Sequence, residues 1–394
     1  MRLFAFAFTL VLTTGVFAAP DEALLGKAQG YPVCQVPGGS TTATQHCLVG
    51  LLSNYDKLTA SRKVPHGAVR ELKRAAPVPD LKVDAYLAAN RNTGLLVLRG
   101  DSILAERYQY DRNENHRFQS FSMAKTVVAM LIGVALNDGK IKSIDQKAEE
   151  FLPELKGQPY GETSLRHLLT MSSGVAFSEF YDGKDDVSVL GLKTVGRQGP
   201  GGVDSVLGYM KRLRPAGEKF VYASAETHVL GLVLRAATGR NLSDYLAEKI
   251  WQPMGAEADA TWVIDRGGYE TGHMGLNATL RDWGRLGLLL ASYGERDGKQ
   301  IIPAAWVKAA TTAESRHLMP GNATFRNGYG YQTWIIDNEG KFALLGVRGQ
   351  AVMVDPVTRT VVVHTAVHAG SADGNARGPQ FQFFFDTIRT LGSS

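Results

Sequence analysis

A serine and a lysine in this chain have the types and the spacing for nucleophilic catalysis. Ser122 and Lys125 lie three positions apart at the start of an apolar segment that continues to Leu136. Because the segment is apolar nearly all round, we expect a buried helix, on which residues three apart share a face. Ser122 would then lie in the first turn, where free backbone N–H groups and the helix dipole favour developing negative charge. Burial would lower the pKa of Lys125, so that its amine could accept the proton of the Ser122 hydroxyl.

The same two residues also have a purely structural interpretation. Ser122 could cap the helix, and Lys125 could extend from the helix end toward solvent. A Ser-x-x-Lys spacing arises by chance in chains of this length, although it occurs only once here. A second observation is needed, and Tyr222 provides it. This tyrosine lies in a loop just before an apolar segment that predicts a helix over residues 228–238.

Together, the Ser122-x-x-Lys125 spacing and the sequence Tyr222-Ala223-Ser224 resemble the motifs of serine hydrolases of the penicillin-recognising and class C β-lactamase family. The resemblance covers roughly residues 90 to 394. Four further segments are similar to the family: residues 144–145, 151–155, 164–174 and 251–255. The combination is far more specific than either motif alone.

Two departures from the family pattern point to one subgroup. The chain has Tyr222-Ala223-Ser224 where β-lactamases and penicillin-binding proteins usually have Tyr-x-Asn, and it contains no Lys-Thr-Gly. The corresponding strand reads Leu-Leu-Gly-Val-Arg-Gly-Gln over residues 344–350, so it lacks the lysine that would recognise a β-lactam carboxylate. Both departures, and the Asp355-Pro356 that follows, are similar to the 6-aminohexanoate-dimer hydrolases and related carboxylesterases.

The resemblance implies a role for each site residue. Ser122 would attack an amide or ester carbonyl, while Lys125 and the Tyr222 phenolate share the proton transfers. The backbone N–H groups of Ser122 and Val347 would form the oxyanion hole. The chemistry needs no metal and no other cofactor, and we expect a small-molecule amide or ester as substrate.

Three residues are candidate substrate contacts: Tyr181, Trp262 and Asn277. The segments expected to line the pocket are residues 177–186, a glycine-rich loop near residue 199, and residues 272–277. A packing role is at least as good an explanation for each of the three side chains.

Three function classes remain open. The resemblance favours an amidase or esterase. A β-lactamase or D,D-peptidase acting on cell-wall peptides is an alternative, which the missing Lys-Thr-Gly opposes. A non-catalytic binding relative is a third, because folds of this kind host other functions, although the intact set of Ser122, Lys125 and Tyr222 argues against it.

The elements that must position these residues predict an α+β, β-lactamase-like fold. Residues 94–98 and 103–108 predict a β-hairpin around a Gly-Asp turn. Further strands are expected over residues 331–336, 342–347, 351–354 and 360–366, followed by a helix over residues 381–391. Strands at both ends with helices between them indicate one antiparallel sheet built from both ends of the chain and flanked by helices. The mainly helical inserted region covers about residues 140–300.

The first 18 residues have the composition of a secretory signal peptide. Arg2 precedes an apolar stretch that is too short to span a bilayer, and small residues lead to Ala18. We therefore expect a secreted or periplasmic protein without stable membrane insertion. In such a compartment Cys34 and Cys47 would form a disulfide within an N-terminal extension, residues 19–85, ahead of a hydrolase domain over residues 86–394.

Composition excludes several other classes. The chain of 394 residues is 44% hydrophobic and 21% charged, which is typical of folded globular proteins rather than of disordered or fibrous ones. Its net charge of +5 comes from scattered basic residues, so we expect no nucleic-acid partner. The nine histidines show no metal-ligand spacing. The oligomeric state stays open.

Overall fold

A computed structural model describes residues 19–34, 44–371 and 374–392. The predicted signal peptide, residues 1–18, lies outside the described residues. The strands are β1 Ser61–Val64, β2 Lys73–Arg74, β3 Asn92–Arg99, β4 Ser102–Tyr108, β5 Phe118–Gln119, β6 Ala260–Val263, β7 Leu276–Ala278, β8 Glu295–Arg296, β9 Lys299–Gln300, β10 Gly328–Tyr329, β11 Trp334–Ile335, β12 Phe342–Gly346, β13 Gln350–Asp355 and β14 Thr360–Ala366. The helices are α1 Leu48–Leu52, α2 Tyr55–Leu58, α3 Val83–Ala89, α4 Met123–Asn137, α5 Leu165–Leu169, α6 Asp186–Thr194, α7 Ser224–Thr238, α8 Leu242–Leu246, α9 Leu280–Ala291, α10 Ala304–Ala310 and α11 Gly374–Gly392.

Two strands from opposite ends of the chain lie side by side in the main sheet. Its strand order is β10-β11-β12-β13-β14-β3-β4-β2, and the β14–β3 pair joins the C-terminal strands to the N-terminal hairpin. All neighbouring pairs are antiparallel except β2–β4. The predicted α+β fold, with one sheet built from both ends of the chain, is confirmed, as is the hairpin of β3 and β4.

The central strands are buried on both faces, because helices cover the sheet on either side. Leu96 and Leu98 of β3 point into the larger core, which includes residues of α4 and α9. Leu95 and Val97, which alternate with them, point to the opposite face and pack in the core that contains α3 and α11. This two-residue alternation is what a pleated strand imposes.

The helix predicted from the Ser-x-x-Lys motif is α4, and it lies in the interior. Its residues from Met123 to Ala135 are all buried. It packs against α7, which the sequence also predicted, and α7 begins four residues earlier than expected, at Ser224. The packing of α4 on α7 brings the Ser122 and Tyr222 segments together.

A second, smaller sheet with the order β1-β6-β7-β5 positions the start of α4. β5 runs directly into Ser122, and the backbone N–H of Ser120 donates to the carbonyl oxygen of Leu276 in β7 (2.9 Å). The strands β6 and β7 lie inside the region predicted as mainly helical. They are only four and three residues long, too short for a clear alternation of apolar and polar residues.

The N-terminal extension contributes to both sheets. Its β1 pairs with β6, and its β2 pairs with β4. Leu25, Leu48 and Tyr55 form a core cluster with Phe121 and Val263. The predicted disulfide is confirmed, because Cys34 and Cys47 are bonded with their Cα atoms 5.6 Å apart. Within the described residues, we find no helix with both the length and the apolar character needed to cross a membrane.

Two glycines allow α9 to lie close against the main sheet. A Cβ on Gly284 would come within 2.8 Å of the side chains of Leu96 and Leu98. A Cβ on Gly287 would lie 2.6 Å from Val361 and 2.9 Å from Val352. Larger residues at these positions would push the helix away from the sheet, because the closely packed side chains of the strands leave no room for extra atoms.

We expect Gly287→Ala to destabilise the protein by about 1–3 kcal/mol, because overpacking against two valines outweighs the better helix propensity of alanine. The matched control is Gly392→Ala at the exposed end of α11, where a Cβ meets nothing within 4 Å. Urea unfolding measures both free energies. Equal stability of the two variants would contradict the close packing of α9.

Candidate active site

A strained turn presents Ser122 at the N-terminus of α4. Phe121 has a φ of 44°, a left-handed conformation that is uncommon for a bulky residue. Its backbone N–H donates to the side-chain oxygen of Gln119 (3.1 Å), and its ring is buried in the N-terminal core cluster. Ser122 occupies the N-cap position of α4, but its hydroxyl makes no capping hydrogen bond. The capping interpretation therefore does not describe what this hydroxyl does.

Lys125 lies one turn along α4 and reaches the Ser122 hydroxyl. Its Nζ donates to Ser122 Oγ, to Ser224 Oγ and to the carbonyl oxygen of His273, each at 3.0 Å. The residue is 1% exposed, which excludes the interpretation that it extends into solvent. Burial lowers the pKa of Lys125 to about 8, although the negative charge of Glu179 acts in the opposite direction. A substantial fraction of this amine is therefore neutral near physiological pH.

Tyr222 lies next to both residues. Its side chain and Ser122 line the same pocket, and Lys125 Nζ lies 5.1 Å from the centre of the Tyr222 ring. The ring stacks on Trp334 with centroids 5.5 Å apart. Burial, and then the charge of Glu179, raise the pKa of Tyr222 well above its usual range. Tyr222 is accordingly a neutral phenol at rest, whereas the sequence analysis expected a phenolate.

Glu179 is a site residue that sequence reasoning missed. Its carboxylate accepts the backbone N–H of Ser224 (2.7 Å), the Ser224 hydroxyl (2.8 Å) and the Tyr181 hydroxyl (2.7 Å). Ser224 is the first residue of α7, so Glu179 also satisfies a backbone donor at this helix N-terminus. Glu179 belongs to the loop of residues 177–186, which the sequence analysis assigned to the pocket, but no spacing connects it to Ser224.

A pocket of about 280 Å³ opens over Ser122. It is lined by Ser122, Tyr181, Tyr222, Asn327, Trp334, Leu345, Gly346, Val347, Ser371 and Arg377. The described lining thus combines aromatic and aliphatic side chains with one cation, Arg377. Burial lowers the pKa of Arg377 to about 10, which leaves it charged at neutral pH.

The structure brings Val347 and Tyr181, two of the predicted site residues, into this pocket. Val347 follows β12, whose last residue, Gly346, packs directly on the turn that carries Ser122. A Cβ on Gly346 would clash with the carbonyl oxygen of Ser120. The absence of a side chain there allows the end of β12 to approach the turn that carries Ser122, as the predicted oxyanion hole of Ser122 and Val347 would require.

The other two predicted substrate contacts, Trp262 and Asn277, are not among the described residues that line the pocket. Trp262 is fully buried in β6, and its indole donates to the carbonyl oxygens of Thr271 and Met274 (3.1 and 3.0 Å). Asn277 is fully buried in β7, and its amide donates to the carbonyl oxygen of Gly275 (3.0 Å). Both side chains thus hydrogen-bond to the segment of residues 271–275, in which the His273 carbonyl accepts a hydrogen bond from Lys125.

The sequence of the chain matches that of a known protein family. The sequence model of the family described as Beta-lactamase matches residues 82–382, about three quarters of the chain.

The chain belongs to the beta-lactamase family.

Among characterised members of this family, the chain is 28% identical over 327 residues to the 6-aminohexanoate-dimer hydrolase of Paenarthrobacter ureafaciens. The alignment covers 80% of this chain and 82% of that protein. The predicted resemblance to the beta-lactamase family and to 6-aminohexanoate-dimer hydrolase is confirmed.

Solved structures of other proteins show the same fold. A Bacillus anthracis protein, provisionally assigned as a 6-aminohexanoate-dimer hydrolase, superimposes with a TM-score of 0.80 at 24% identity, covering 91% of this chain and 98% of that one. EstCE1, described as a hydrolase with promiscuous acyltransferase activity, has a TM-score of 0.62 at 16% identity, covering 77% and 97% of the two chains. The β-lactamase-like fold is thereby confirmed.

We expect the reaction of Ser122 with a fluorophosphonate to become faster as the pH rises through about 8, the pKa of Lys125. The lysine must lose its proton before it can accept one, so the rate should fall about tenfold per pH unit below this midpoint and level off above it. Quenched time courses of labelling between pH 6 and 10 measure how the labelling rate depends on pH. A rate independent of pH would exclude Lys125 as the base.

Proposed function

We propose that this protein is a serine hydrolase that cleaves an amide or ester bond through an acyl-enzyme on Ser122. The observation that carries the proposal is the 3.0 Å contact between Lys125 Nζ and Ser122 Oγ, made by a lysine whose pKa burial lowers to about 8. The phenol of Tyr222 is the third group of the proposed catalytic set, beside Ser122 and Lys125. The homologous 6-aminohexanoate-dimer hydrolase supports the choice of bond.

Acylation follows from the positions of these groups. Ser122 Oγ attacks the substrate carbonyl carbon while neutral Lys125 accepts its proton. The carbonyl oxygen becomes an oxyanion held by the backbone N–H groups of Ser122 and Val347, and such donors are worth about 3 kcal/mol each in the transition state. Tyr222 donates its proton to the leaving nitrogen or oxygen and recovers one from the Lys125 ammonium. The amine or alcohol leaves, and the acyl group stays on Ser122.

Deacylation reverses the proton path. Water attacks the acyl carbon while neutral Lys125 accepts its proton, and Ser122 Oγ then leaves and takes a proton back from the Lys125 ammonium. The products are a carboxylic acid and regenerated enzyme. The side chains of Ser122, Lys125 and Tyr222, with the two backbone N–H groups of the oxyanion hole, supply every step.

The pocket supports a small substrate with an apolar body. Tyr222, Trp334 and Leu345 provide flat and aliphatic contact surface beside Ser122. The segment of residues 344–350 lacks the family's Lys-Thr-Gly and its lysine, which argues against a β-lactam as the preferred substrate. Export through the N-terminal signal peptide belongs to the same proposal and is supported by the Cys34–Cys47 disulfide.

We expect wild-type protein to be labelled by a fluorophosphonate and Ser122→Ala to lose labelling completely, because the substitution removes the nucleophile. A folded Ser122→Ala variant, verified by its thermal melt, is the control for structural damage. Absence of labelling in the wild type would overturn the proposed function.

A substrate panel separates the hydrolase classes. We expect cleavage of a short p-nitrophenyl ester or of the linear 6-aminohexanoate dimer to exceed that of nitrocefin, and Tyr222→Phe to lower kcat by about 10²–10⁴ through loss of the proton donor. Fast nitrocefin turnover with neither of the other substrates cleaved would instead identify a β-lactamase.

A further inference from the structure

The hydrogen bonds around Lys125 determine where its lone pair can point. Neutral lysine has two N–H donors and one lone pair, and three oxygens surround Nζ at 3.0 Å: Ser122 Oγ, Ser224 Oγ and the carbonyl oxygen of His273. The carbonyl can only accept, so one N–H must point to His273. The second N–H must go to one of the two serines, and the lone pair is left for the other. A base that activates Ser122 requires the second N–H to point to Ser224.

Glu179 determines which serine accepts the second N–H of Lys125, because its carboxylate accepts the proton of the Ser224 hydroxyl. The Ser224 hydroxyl donates to the Glu179 carboxylate at 2.8 Å, so that its oxygen faces Lys125 as an acceptor only. A carboxylate has no proton to return, which makes the direction of this bond unambiguous. The same carboxylate holds the Ser224 backbone N–H at 2.7 Å, which fixes the residue as well as its hydroxyl.

We propose that Glu179 is a positioning residue that commits the Ser224 hydroxyl and thereby directs the lone pair of neutral Lys125 at Ser122 Oγ. This inference rests on the proposed function, because it assigns to Glu179 a part in activating the same nucleophile. Glu179 acts through Ser224 and Lys125 rather than on the substrate. Its hydrogen bond to Tyr181, which lines the pocket, connects the loop of Glu179 to the substrate side of the site.

Other carboxylates hold the loop of Glu179 in place. Asp186 accepts the backbone N–H and the hydroxyl of Ser178, both at 2.7 Å. Asp185 accepts the backbone N–H groups of Phe180 and Tyr181 at 2.6 and 2.7 Å. The residues on both sides of Glu179 are therefore tied to the N-terminus of α6, and the carboxylate is presented to Ser224 from a fixed segment.

Glu179 also affects the pKa of Lys125 through its negative charge. The titratable groups that face Lys125 are Glu179, Tyr222 and His273. Tyr222 and His273 are neutral near pH 7, because burial raises the pKa of the former and lowers that of the latter. The negative charge of Glu179 raises the pKa of Lys125 against the effect of burial. Removing the charge should therefore lower the pKa of Lys125 and move the rising limb of the pH profile to lower pH.

The test measures fluorophosphonate labelling of Ser122 against pH in Glu179→Gln, with Glu218→Gln, an exposed carboxylate in the loop before Tyr222, as the matched control. Glu179→Gln keeps an acceptor oxygen but loses the charge. We expect its midpoint to fall by about one pH unit with a plateau rate within about threefold of wild type. Glu218→Gln should leave the midpoint unchanged. An unshifted midpoint in Glu179→Gln would overturn the proposal.

A double-mutant cycle tests the route through Ser224. Glu179→Ala frees the Ser224 hydroxyl to donate to the lone pair of Lys125, so we expect its plateau rate to fall about 10- to 100-fold. In a Ser224→Ala background no hydroxyl can compete for the lone pair, and adding Glu179→Ala should change the rate by less than about twofold. An equal loss in both backgrounds would show that Glu179 has only a structural role and overturn the proposal. Failure of the wild type to react at any pH would instead overturn the proposed function itself.

Discussion

The burial of the Lys125 ammonium group is the constraint on which the rest of the site depends. Moving a charged amine out of water costs on the order of several kcal/mol unless the surrounding protein replaces its hydration. Here three oxygen acceptors and one nearby carboxylate replace it, and the compensation is incomplete, since the pKa still falls to about 8. That residual cost leaves part of the amine neutral near pH 7, as the proposed role of Lys125 as a base requires.

The fold supplies these acceptors from three separate segments. Ser122 lies at the N-cap of α4, Ser224 lies in the first turn of α7, and the His273 carbonyl lies in the stretch before β7. The small sheet fixes the distance between the first and the third, because β5 leads into the nucleophile turn and pairs with β7. The main sheet brings the end of β12 against the same turn at Gly346. Distant parts of the chain are therefore needed to build one 3.0 Å contact.

The sequence predicted the parts of the site that lie within single elements. Ser122 lies at the N-cap of the helix that carries Lys125, so helical spacing predicted their contact, while capping by Ser122 and exposure of Lys125 stayed open as alternatives. The role of Tyr222 came from the resemblance to a family, and the hairpin of β3 and β4 came from two strand-like runs on either side of a Gly-Asp turn. Each of these signals is local, or is carried by a motif that can be read directly from the chain.

The remaining parts depend on contacts between distant segments, which no local pattern encodes. Glu179 and Ser224 are 45 positions apart, and a carboxylate in a polar loop resembles any solvated one until its partner is known. Trp262 and Asn277 looked like pocket residues because of their types, but buried strands of the small sheet enclose them. The strands β1 and β2 were missed because short segments in an irregular extension become strands only by pairing with partners elsewhere.

The central claim, that hydrolysis proceeds through an acyl-enzyme on Ser122, is tested most directly by mass spectrometry of protein quenched in acid during turnover of a p-nitrophenyl ester. We predict an intact mass increased by that of the acyl group, and a peptide map that places the adduct on Ser122. Turnover of the ester with the adduct on another residue, or with no adduct under conditions in which deacylation limits the rate, would contradict it.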